Sequence, residues 1–280
     1  MAPSTKILQW NCRGLKVNFN ELKLLCKEHN PLAFALQETH LKESDNITFR
    51  SYDMYNTYSP IDENDRAKGG SSLFVKQGII HSHISLNTKL QAVAVRITLH
   101  KTITLCSIYI PPSSKLTIKD LDNLVEQLPS PYILLGDFNG HNPLWGCDDY
   151  NTKGRLLERF IDAQALCLYN DGSDTYLHPG TGTYTAIDLT LTNTDLLTDF
   201  SWQVIDDLCG SDHFPILIEY DATPVEERIP RWILKKADWG TFTALCLEKL
   251  INPTFTYNID PLITFTTILI SIHNYFNINS

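Results

Sequence analysis

Short runs of β-branched and aliphatic residues recur from residue 6 to residue 221, and this pattern limits most strongly how the chain can fold. The runs cover residues 6–12, 32–37, 71–75, 90–99, 102–110, 132–135, 183–192, 201–205 and 213–220. Within the fourth run, Val93, Val95, Ile97 and Leu99 occupy every other position, which is typical of a strand with one buried face. The sequence therefore predicts a fold built mainly from strands.

Helical spacing of apolar residues interrupts these strands in three places. The positions are Phe19, Leu22, Leu25 and Cys26, then Leu121, Leu124, Val125 and Leu128, and finally Leu156, Leu157, Phe160 and Ile161. The last stretch follows Asn151 and Gly154, which indicate a helix entry. Helices interspersed among more numerous strands favour an α/β (α+β) fold with two packed mixed β-sheets flanked by helices, rather than a plain parallel doubly wound sheet.

The character of the sequence changes after Tyr220. Residues 223–228 are polar, residues 230–232 read as an extended connector, and residues 237–250 form a candidate helix. We expect one domain over residues 1–222, followed by a linker and a partial helical extension over residues 223–280. The apolar tail at 261–275 is too short and too interrupted by polar residues for a membrane span, so we expect no membrane partner.

Cysteine usage and the N-terminus indicate an intracellular protein. The seven cysteines include no C-x-x-C pair and lie mostly in apolar runs, which predicts buried free thiols in a reducing compartment. No apolar run follows a basic start at the N-terminus, so we expect no signal peptide.

The formal net charge of −9 argues against a protein that holds nucleic acid by charge neutralisation alone. A site that binds Mg²⁺ through carboxylates is itself acidic, however, and the bound cation reverses the field that a phosphate feels. A nucleic-acid substrate therefore requires a local basic surface on this chain.

Polar side chains stand where the predicted strands end. Asn11 ends the first strand, Glu38 follows the second, Tyr109 ends a later one, and Asp137 and Asn139 follow residues 132–135. Strand ends are where an α/β sheet presents groups to a ligand, so these side chains are expected at one mouth.

A second group of polar residues occurs nearer the C-terminal end of the strand region. Asp188 lies within a strand rich in threonine and leucine, where an unpaired carboxylate costs on the order of several kcal/mol. It needs a cation or a histidine as partner. Asp212 and His213, just before the last strand, supply a further carboxylate and that histidine.

Each motif also has a simpler structural explanation when it is taken alone. Residues 136–139 are more often a turn, with Gly136 there for backbone freedom. Asp212 and His213 could form a capping turn, Tyr109 could be a packed aromatic, and Asn11 could satisfy buried backbone groups. The order of all the motifs in one chain favours a functional site.

The ordered motifs Q-E-T, G-D-F-N, I-D-L and S-D-H, over about residues 6–220, resemble the endonuclease/exonuclease/phosphatase superfamily. Residues 10–14, residues 136–146, and Arg231-Trp232 with Ala237-Asp238-Trp239 look like the endonuclease domain of jockey-like non-LTR retrotransposons. A reverse transcriptase follows the endonuclease in such polyproteins. The resemblance implies a four-layered αββα sandwich and a fragment that lacks the polymerase.

The resemblance implies where a metal would bind. Mg²⁺, with Mn²⁺ as the alternative, would bind Glu38 with Asn11 beside it, and Asp212 would touch a second metal. Arg13 stands where abasic-site endonucleases carry an acidic residue, which counts against a second metal there and against abasic-site repair. Arg13 would contact DNA instead.

The resemblance also implies the remaining roles. Asp137 would orient or deprotonate the attacking water, Asn139 would hold that water or the phosphate, and Tyr109 would contact a phosphate oxygen or the leaving group. Asp188 would fix His213, which would donate to the phosphate.

The function implied is a Mg-dependent endonuclease that nicks double-stranded DNA and leaves a 3′-hydroxyl that could prime reverse transcription. The resemblance places it in the nucleus, with element RNA or a reverse transcriptase region as further partners. Two alternatives stay open: a phosphoesterase that uses the same site on small phosphate esters, and a catalytically inert DNA-binding remnant.

Overall fold

The chain folds into a β-sandwich covered by helices, as shown by a computed structural model that describes residues 5–58, 61–99, 101–196, 200–220, 240, 243 and 244. In chain order the elements are β1 (Thr5–Asn11), α1 (Phe19–His29), β2 (Ala33–Gln37), β3 (Tyr52–Thr57), β4 (Ser71–Lys76), β5 (His81–Ile84), β6 (Gln91–Thr98), β7 (Thr102–Tyr109), α2 (Ile118–Val125), β8 (Tyr132–Asp137), α3 (Thr152–Ala163), β9 (Cys167–Leu168), β10 (Tyr176–Leu177), β11 (Tyr184–Thr185), β12 (Asp188–Thr192), β13 (Phe200–Val204) and β14 (Ile216–Tyr220). The predicted boundary at residue 223, the connector at 230–232 and most of the candidate helix at 237–250 lie outside the described residues.

Two six-stranded sheets form the centre of the described fold. The strand order is β13-β14-β1-β2-β4-β3 in the first sheet and β5-β6-β7-β8-β12-β9 in the second. Strands β1 and β2 are parallel, as are β7 and β8, whereas the other paired strands run antiparallel, for example β12 with β8. Both sheets are therefore mixed, as the sequence predicts.

Three apolar cores separate four layers. The core between the sheets combines residues of both, such as Ile7 and Val75 of the first with Val95 and Ile133 of the second. Helix α1 covers the outer face of the first sheet through Leu22 and Leu25. Helices α2 and α3 cover the outer face of the second sheet. This arrangement confirms the predicted αββα sandwich.

Two predicted strands are shorter than expected. The run at 183–192 divides into β11, which pairs with β10, and β12, which pairs with β8 and β9. The last strand begins at Ile216 rather than at residue 213, because His213 forms an isolated bridge to Tyr176 instead. Strands β3 and β5 were missed, since their short, half-exposed sequences carry weak apolar alternation.

The helix entry predicted at Asn151 and the predicted free thiols are confirmed within the described residues. The Asn151 side chain accepts a hydrogen bond from the Gly154 backbone N–H and caps α3. Six cysteines are free thiols, four of them buried, while Cys246 lies outside the described part of the chain.

Gly136 belongs to a strand rather than to a turn. It lies within β8, and a Cβ atom at this position would be 2.1 Å from the Ile108 carbonyl oxygen of the neighbouring strand β7. The residue is therefore glycine because there is no space for a side chain. This close approach brings the end of β8 against the end of β7.

Substitution Gly136→Ala should destabilise the protein by about 1–3 kcal/mol, because overpacking forces the two strands apart. Denaturant unfolding measures the effect. The matched control is Gly180→Ala, where the added Cβ would meet only the His178 ring, at 3.2 Å. Equal stability of the two variants would contradict this explanation of the glycine.

Candidate active site

The strand ends of both sheets meet at one site. Asn11 ends β1, Tyr109 ends β7, and Asp137 ends β8, while Glu38 directly follows β2. Asp137 lies opposite Tyr109 in the parallel pair of β7 with β8 and opposite Asp188 in the antiparallel pair of β8 with β12. The register of the second sheet therefore places three of the predicted site residues side by side.

The Asn11 side chain connects the two sheets at this point. Its Nδ2 donates to Asp137 Oδ2 at 2.9 Å and lies 3.3 Å from His213 Nε2. Its Oδ1 accepts the Arg13 backbone N–H at 3.1 Å, and this bond fixes the orientation of the amide. Because Asn11 is 1% exposed, losing these partners would leave a buried polar group unsatisfied.

The predicted pair of Asp188 and His213 is present. His213 Nδ1 and Asp188 Oδ2 lie 2.8 Å apart, and Thr175 Oγ1 donates to the same carboxylate oxygen at 2.7 Å. The Trp10 indole N–H donates to the His213 carbonyl at 3.0 Å and holds the backbone of that residue. His213 is thus fixed both through its ring and through its main chain.

Electrostatics favour a protonated His213. Burial alone would lower its pKa, but the carboxylates of Asp188, then Asp137 and Asp212, raise the pKa of His213 to about 9. Burial, and then the negative charges of Asp188 and Glu38, raise the pKa of Asp137, against the opposing effect of His213. The imidazolium compensates the charge of the carboxylates buried around it.

Asp137 is held by the asparagine that follows it in the motif. Asp137 Oδ1 accepts from the Asn139 backbone N–H at 3.0 Å and from Asn139 Nδ2 at 2.8 Å. Asn139 adopts a left-handed backbone with φ of 50°, and its Nδ2 also donates to the Ile110 carbonyl at 3.2 Å. The strained asparagine therefore connects the ends of β7 and β8.

Glu38 lies nearer the solvent and stays ionised. Its side chain is 22% exposed, and His40 Nε2 lies 3.4 Å from Glu38 Oε2. Burial alone would raise its pKa, but the donors of His40 and Tyr109, and then that of Asn11, lower the pKa of Glu38 to about 2. Glu38 and His40 both have left-handed backbones, with φ of 47° and 51°, which turn the chain sharply after β2.

Tyr109 is a neutral phenol beside these carboxylates. It is 6% exposed, and burial, followed by the charges of Glu38 and Asp137, raises the pKa of its hydroxyl. Gly69 packs so closely against the Tyr109 ring that a Cβ at Gly69 would lie 2.8 Å from Cε1. Tyr109 can therefore act as a hydrogen-bond donor with a fixed ring.

Arg13 and Asp212 form an ion pair at the rim of the site. Arg13 Nη1 lies 3.1 Å from Asp212 Oδ2, and their side chains are 55% and 14% exposed. The Arg13 guanidinium is therefore paired with an oxygen of Asp212, the carboxylate that the resemblance implied as a ligand of a second metal. Arg13 remains exposed enough to contact a substrate as well.

Glu38 offers an accessible carboxylate to a divalent cation. This side chain is an ionised, partly accessible oxygen ligand of the kind that Mg²⁺ prefers, whereas Asn11 Oδ1 already accepts the Arg13 N–H and Asp212 Oδ2 already faces the Arg13 guanidinium. Asp137, Asp188 and His213 also offer one ligand atom each within 4.8 Å of one another. Their hydrogen bonds already engage His213 Nδ1, Asp188 Oδ2 and both oxygens of Asp137. This buried trio is therefore better suited to holding protons than to holding a metal.

Sequence patterns did not identify four residues that contact the site. His40 approaches Glu38, Thr175 bonds to Asp188, and the Tyr176 ring covers the His213 ring with centroids 4.6 Å apart. The fourth is buried Lys153: burial lowers the pKa of its ammonium group, and the negative charge of Asp137 opposes that effect. Only His40 had a local signal, since it lies two residues after Glu38.

The loop after β8 is mainly structural. Trp145 is fully buried and its indole N–H donates to the Gly140 carbonyl at 3.0 Å. His141 Nδ1 lies 2.8 Å from Asp149 Oδ1 at the surface. This packing fixes the segment that leads from Asn139 into α3.

Comparisons with known proteins show which proteins this chain is similar to. Residues 103–217 match the family described as endonuclease-reverse transcriptase. The RNA-directed DNA polymerase from mobile element jockey of Drosophila melanogaster is 28% identical over 229 residues, covering 80% of this chain and 25% of that protein. The Drosophila funebris jockey protein is 26% identical over 253 residues, covering 89% of this chain and 27% of that protein. The chain thus spans about a quarter of the length of these relatives.

Solved structures show the same architecture. The endonuclease domain of TRAS1, a telomere-specific non-LTR retrotransposon, has a TM-score of 0.65 at 21% identity, covering 78% of this chain and 98% of that domain. The catalytic domain of Xenopus laevis APE2 has a TM-score of 0.60 at 18% identity, covering 80% of this chain and 94% of that one.

The chain therefore has the fold of the endonuclease/exonuclease/phosphatase superfamily. Its sequence is similar to those of jockey-like non-LTR retrotransposon proteins, so the resemblance predicted from the motifs is confirmed.

In metal-free protein, NMR titration of the His213 ring should give a midpoint well above 6.5, near 9. Because the folded-state pKa is raised, the protonated ring stabilises the fold below pH 6.5, and this stabilisation is lost as the pH rises through about 9. Substitution Asp188→Asn should lower the midpoint by more than one pH unit, since it removes the largest favourable charge (~1.4 kcal/mol per unit). Asp149→Asn, which alters the His141 pair, is the control and should leave the His213 midpoint in place. A wild-type midpoint near 6.5 would contradict the electrostatic account.

Proposed function

We propose that this chain is a Mg²⁺-dependent endonuclease that cuts phosphodiester bonds in DNA. The observation that carries the proposal is the meeting of an accessible, ionised oxygen ligand, Glu38, with the buried trio of Asp137, Asp188 and His213 at one mouth. A hydrolase for phosphate esters needs a place for a cation, a group that handles the proton of water, and a donor for the phosphate. The site offers all three.

Glu38, with Asn11 beside it, would hold the cation. When bound, Mg²⁺ or Mn²⁺ polarises the scissile phosphate and stabilises the leaving oxygen. The arrangement of Arg13 against Asp212 supports one cation rather than two, because the guanidinium already neutralises that carboxylate.

The chain's own residues would handle the proton and the phosphate charge. Asp137, oriented by Asn11 and Asn139, would position the attacking water and accept its proton. Protonated His213 would donate to a phosphate oxygen, and the Tyr109 phenol would donate to the phosphate or the leaving group. The water oxygen would bond to phosphorus as the bond from phosphorus to the 3′ oxygen breaks, which leaves a 5′-phosphate, and the 3′ oxygen would take a proton from solvent to become a 3′-hydroxyl.

The similarity to proteins of mobile elements and to the endonuclease domain of a non-LTR retrotransposon supports a role in retrotransposition, and double-stranded DNA is the substrate that we propose for it. In this proposal the chain acts on genomic DNA in the nucleus, and the 3′-hydroxyl primes a reverse transcriptase, with the element's RNA as template. No helix in the described part of the chain is long and apolar enough to cross a bilayer.

Nicking of supercoiled plasmid tests the proposal directly. Purified chain should convert the plasmid to the open-circular form with Mg²⁺ but not with EDTA, and a DNA polymerase should extend the nicks. Asp137→Ala and His213→Ala should each lower the nicking rate by at least about 100-fold, since acid–base and electrostatic groups contribute effects of this size.

The possible failures separate the alternatives. If folded, metal-stabilised protein leaves the plasmid intact but hydrolyses small phosphate esters, those esters replace DNA as the substrate. Folded protein with no metal response and no hydrolysis would support an inert remnant. Nicks that a polymerase cannot extend would contradict the 3′-hydroxyl product.

Metal binding at Glu38 can be tested without any substrate. Mg²⁺ or Mn²⁺ at 100 times its Kd should stabilise the fold by about 2.7 kcal/mol, seen as a rise in Tm. Glu38→Gln should abolish most of this rise, whereas Glu43→Gln, a change at an exposed acid five residues away, should keep it. If the metal raises the Tm of Glu38→Gln as much as that of the wild type, the metal binds to other ligands.

A further inference from the structure

A cleft of about 620 Å³ adjoins the proposed active site. One wall is the loop of residues 112–117 that follows β7, and the other is the beginning of α3 at residues 151–153. Asn139 lines the cleft as well as contacting Asp137, so the cleft begins at the site itself. None of the described residues that line it is acidic, although the whole chain has a net charge of −9.

Lys153 places a buried positive charge in this cleft. It is 8% exposed, and its Nζ donates to the carbonyls of Pro111 and Pro112, the second at 2.8 Å. No acidic side chain among the described residues forms an ion pair with it. Burial lowers the pKa of the Lys153 ammonium and the charge of Asp137 only partly opposes this, so an anion in the cleft would stabilise the buried charge further.

The carbonyl partners and the helix entry fix where this charge lies. Asn151 caps α3 by accepting the Gly154 N–H at 2.7 Å, and its Nδ2 donates to the Asn139 carbonyl at 3.0 Å. Lys153 follows this cap by two residues, so the bond from Asn151 to the Asn139 carbonyl also fixes the helix turn that carries Lys153. The charge keeps a constant position relative to the proposed active site.

Two further features of the cleft favour an anion. Lys115 is exposed on the loop wall. The first turn of the twelve-residue helix α3 forms the opposite wall, and the N-terminus of a helix carries a partial positive charge. Positive charge thus faces the cleft from both walls.

We propose that this cleft binds a backbone phosphate of the DNA strand, adjacent to the phosphate that is cut. The inference rests on the proposed function and adds a second contact to it: Lys153 and Lys115 would hold the strand while its neighbouring phosphate lies at Glu38 and His213. Continuity through Asn139 favours a polymeric phosphate chain, which can occupy both places at once.

Salt dependence of DNA binding tests the cleft apart from catalysis. Fluorescence anisotropy with a labelled duplex, in EDTA and at a series of salt concentrations, gives the slope of log K against log salt. Each lost phosphate contact reduces that slope by about 1. Lys115→Ala and Lys153→Met should each show this reduction, and Lys153→Arg, which keeps the charge, should recover most of it.

Lys119→Ala is the matched control for Lys115→Ala. Lys119 is an exposed lysine on α2, four residues further along, and does not line the cleft. It should keep the wild-type slope. If Lys115→Ala and Lys119→Ala have equal slopes, the cleft is not a phosphate site. This comparison is valid even if Lys153→Met fails to fold, because both exposed lysines can be replaced without disturbing the core.

Parallel plasmid nicking separates this inference from the proposed function. Wild-type protein that nicks DNA while all cleft variants keep its salt slope would overturn the cleft and leave the endonuclease intact. If the cleft variants show the expected reduction in slope but the wild-type protein does not nick DNA, the phosphate site is supported and the proposed activity is overturned.

Discussion

Compensation of buried charge is the constraint on which the site and its surroundings depend. Asp137, Asp188 and His213 are each less than 5% exposed, although all three carry ionisable side chains. Asp188 Oδ1 has no hydrogen-bond partner among the described residues, so the charge of Asp188 relies on His213 and Thr175. Removing one member of such a group leaves an uncompensated charge, which costs about 3–5 kcal/mol in comparable buried pairs. The two sheets must therefore meet with these residues in register.

The same constraint explains the unusual backbone near the site. Arg13, Glu38, His40 and Asn139 all have left-handed conformations, at a cost of roughly 1–2 kcal/mol each. These turns bring Glu38 and the Arg13 N–H to the mouth and leave the trio beneath it. The result separates an accessible ionised oxygen from a buried proton-holding group. That separation lets a single site offer both a cation ligand and a proton donor.

Local patterns predicted most of the sandwich and most of the site. Strand alternation, helix spacing and motifs at strand ends are readable over a few neighbouring residues, and they identified Asn11, Glu38 and Asp137 as site candidates. The bonds of Thr175 to Asp188 and of Lys153 to Pro112 join residues 13 and 41 positions apart, with no local pattern to indicate them. For Gly136 the local pattern offered only a turn as the simpler alternative, because the actual reason for the glycine, the closeness of Ile108, belongs to a neighbouring strand.

The position of the metal tests this account most directly. A crystal of the protein soaked with Mn²⁺, with anomalous diffraction recorded at the manganese edge, locates the ion without reference to activity. The account predicts one anomalous peak beside the Glu38 carboxylate, with the Asp188 and His213 hydrogen bond intact. A peak between Asp137, Asp188 and His213 would contradict it, because the buried trio would then be the metal site and its protons would have no part in the chemistry.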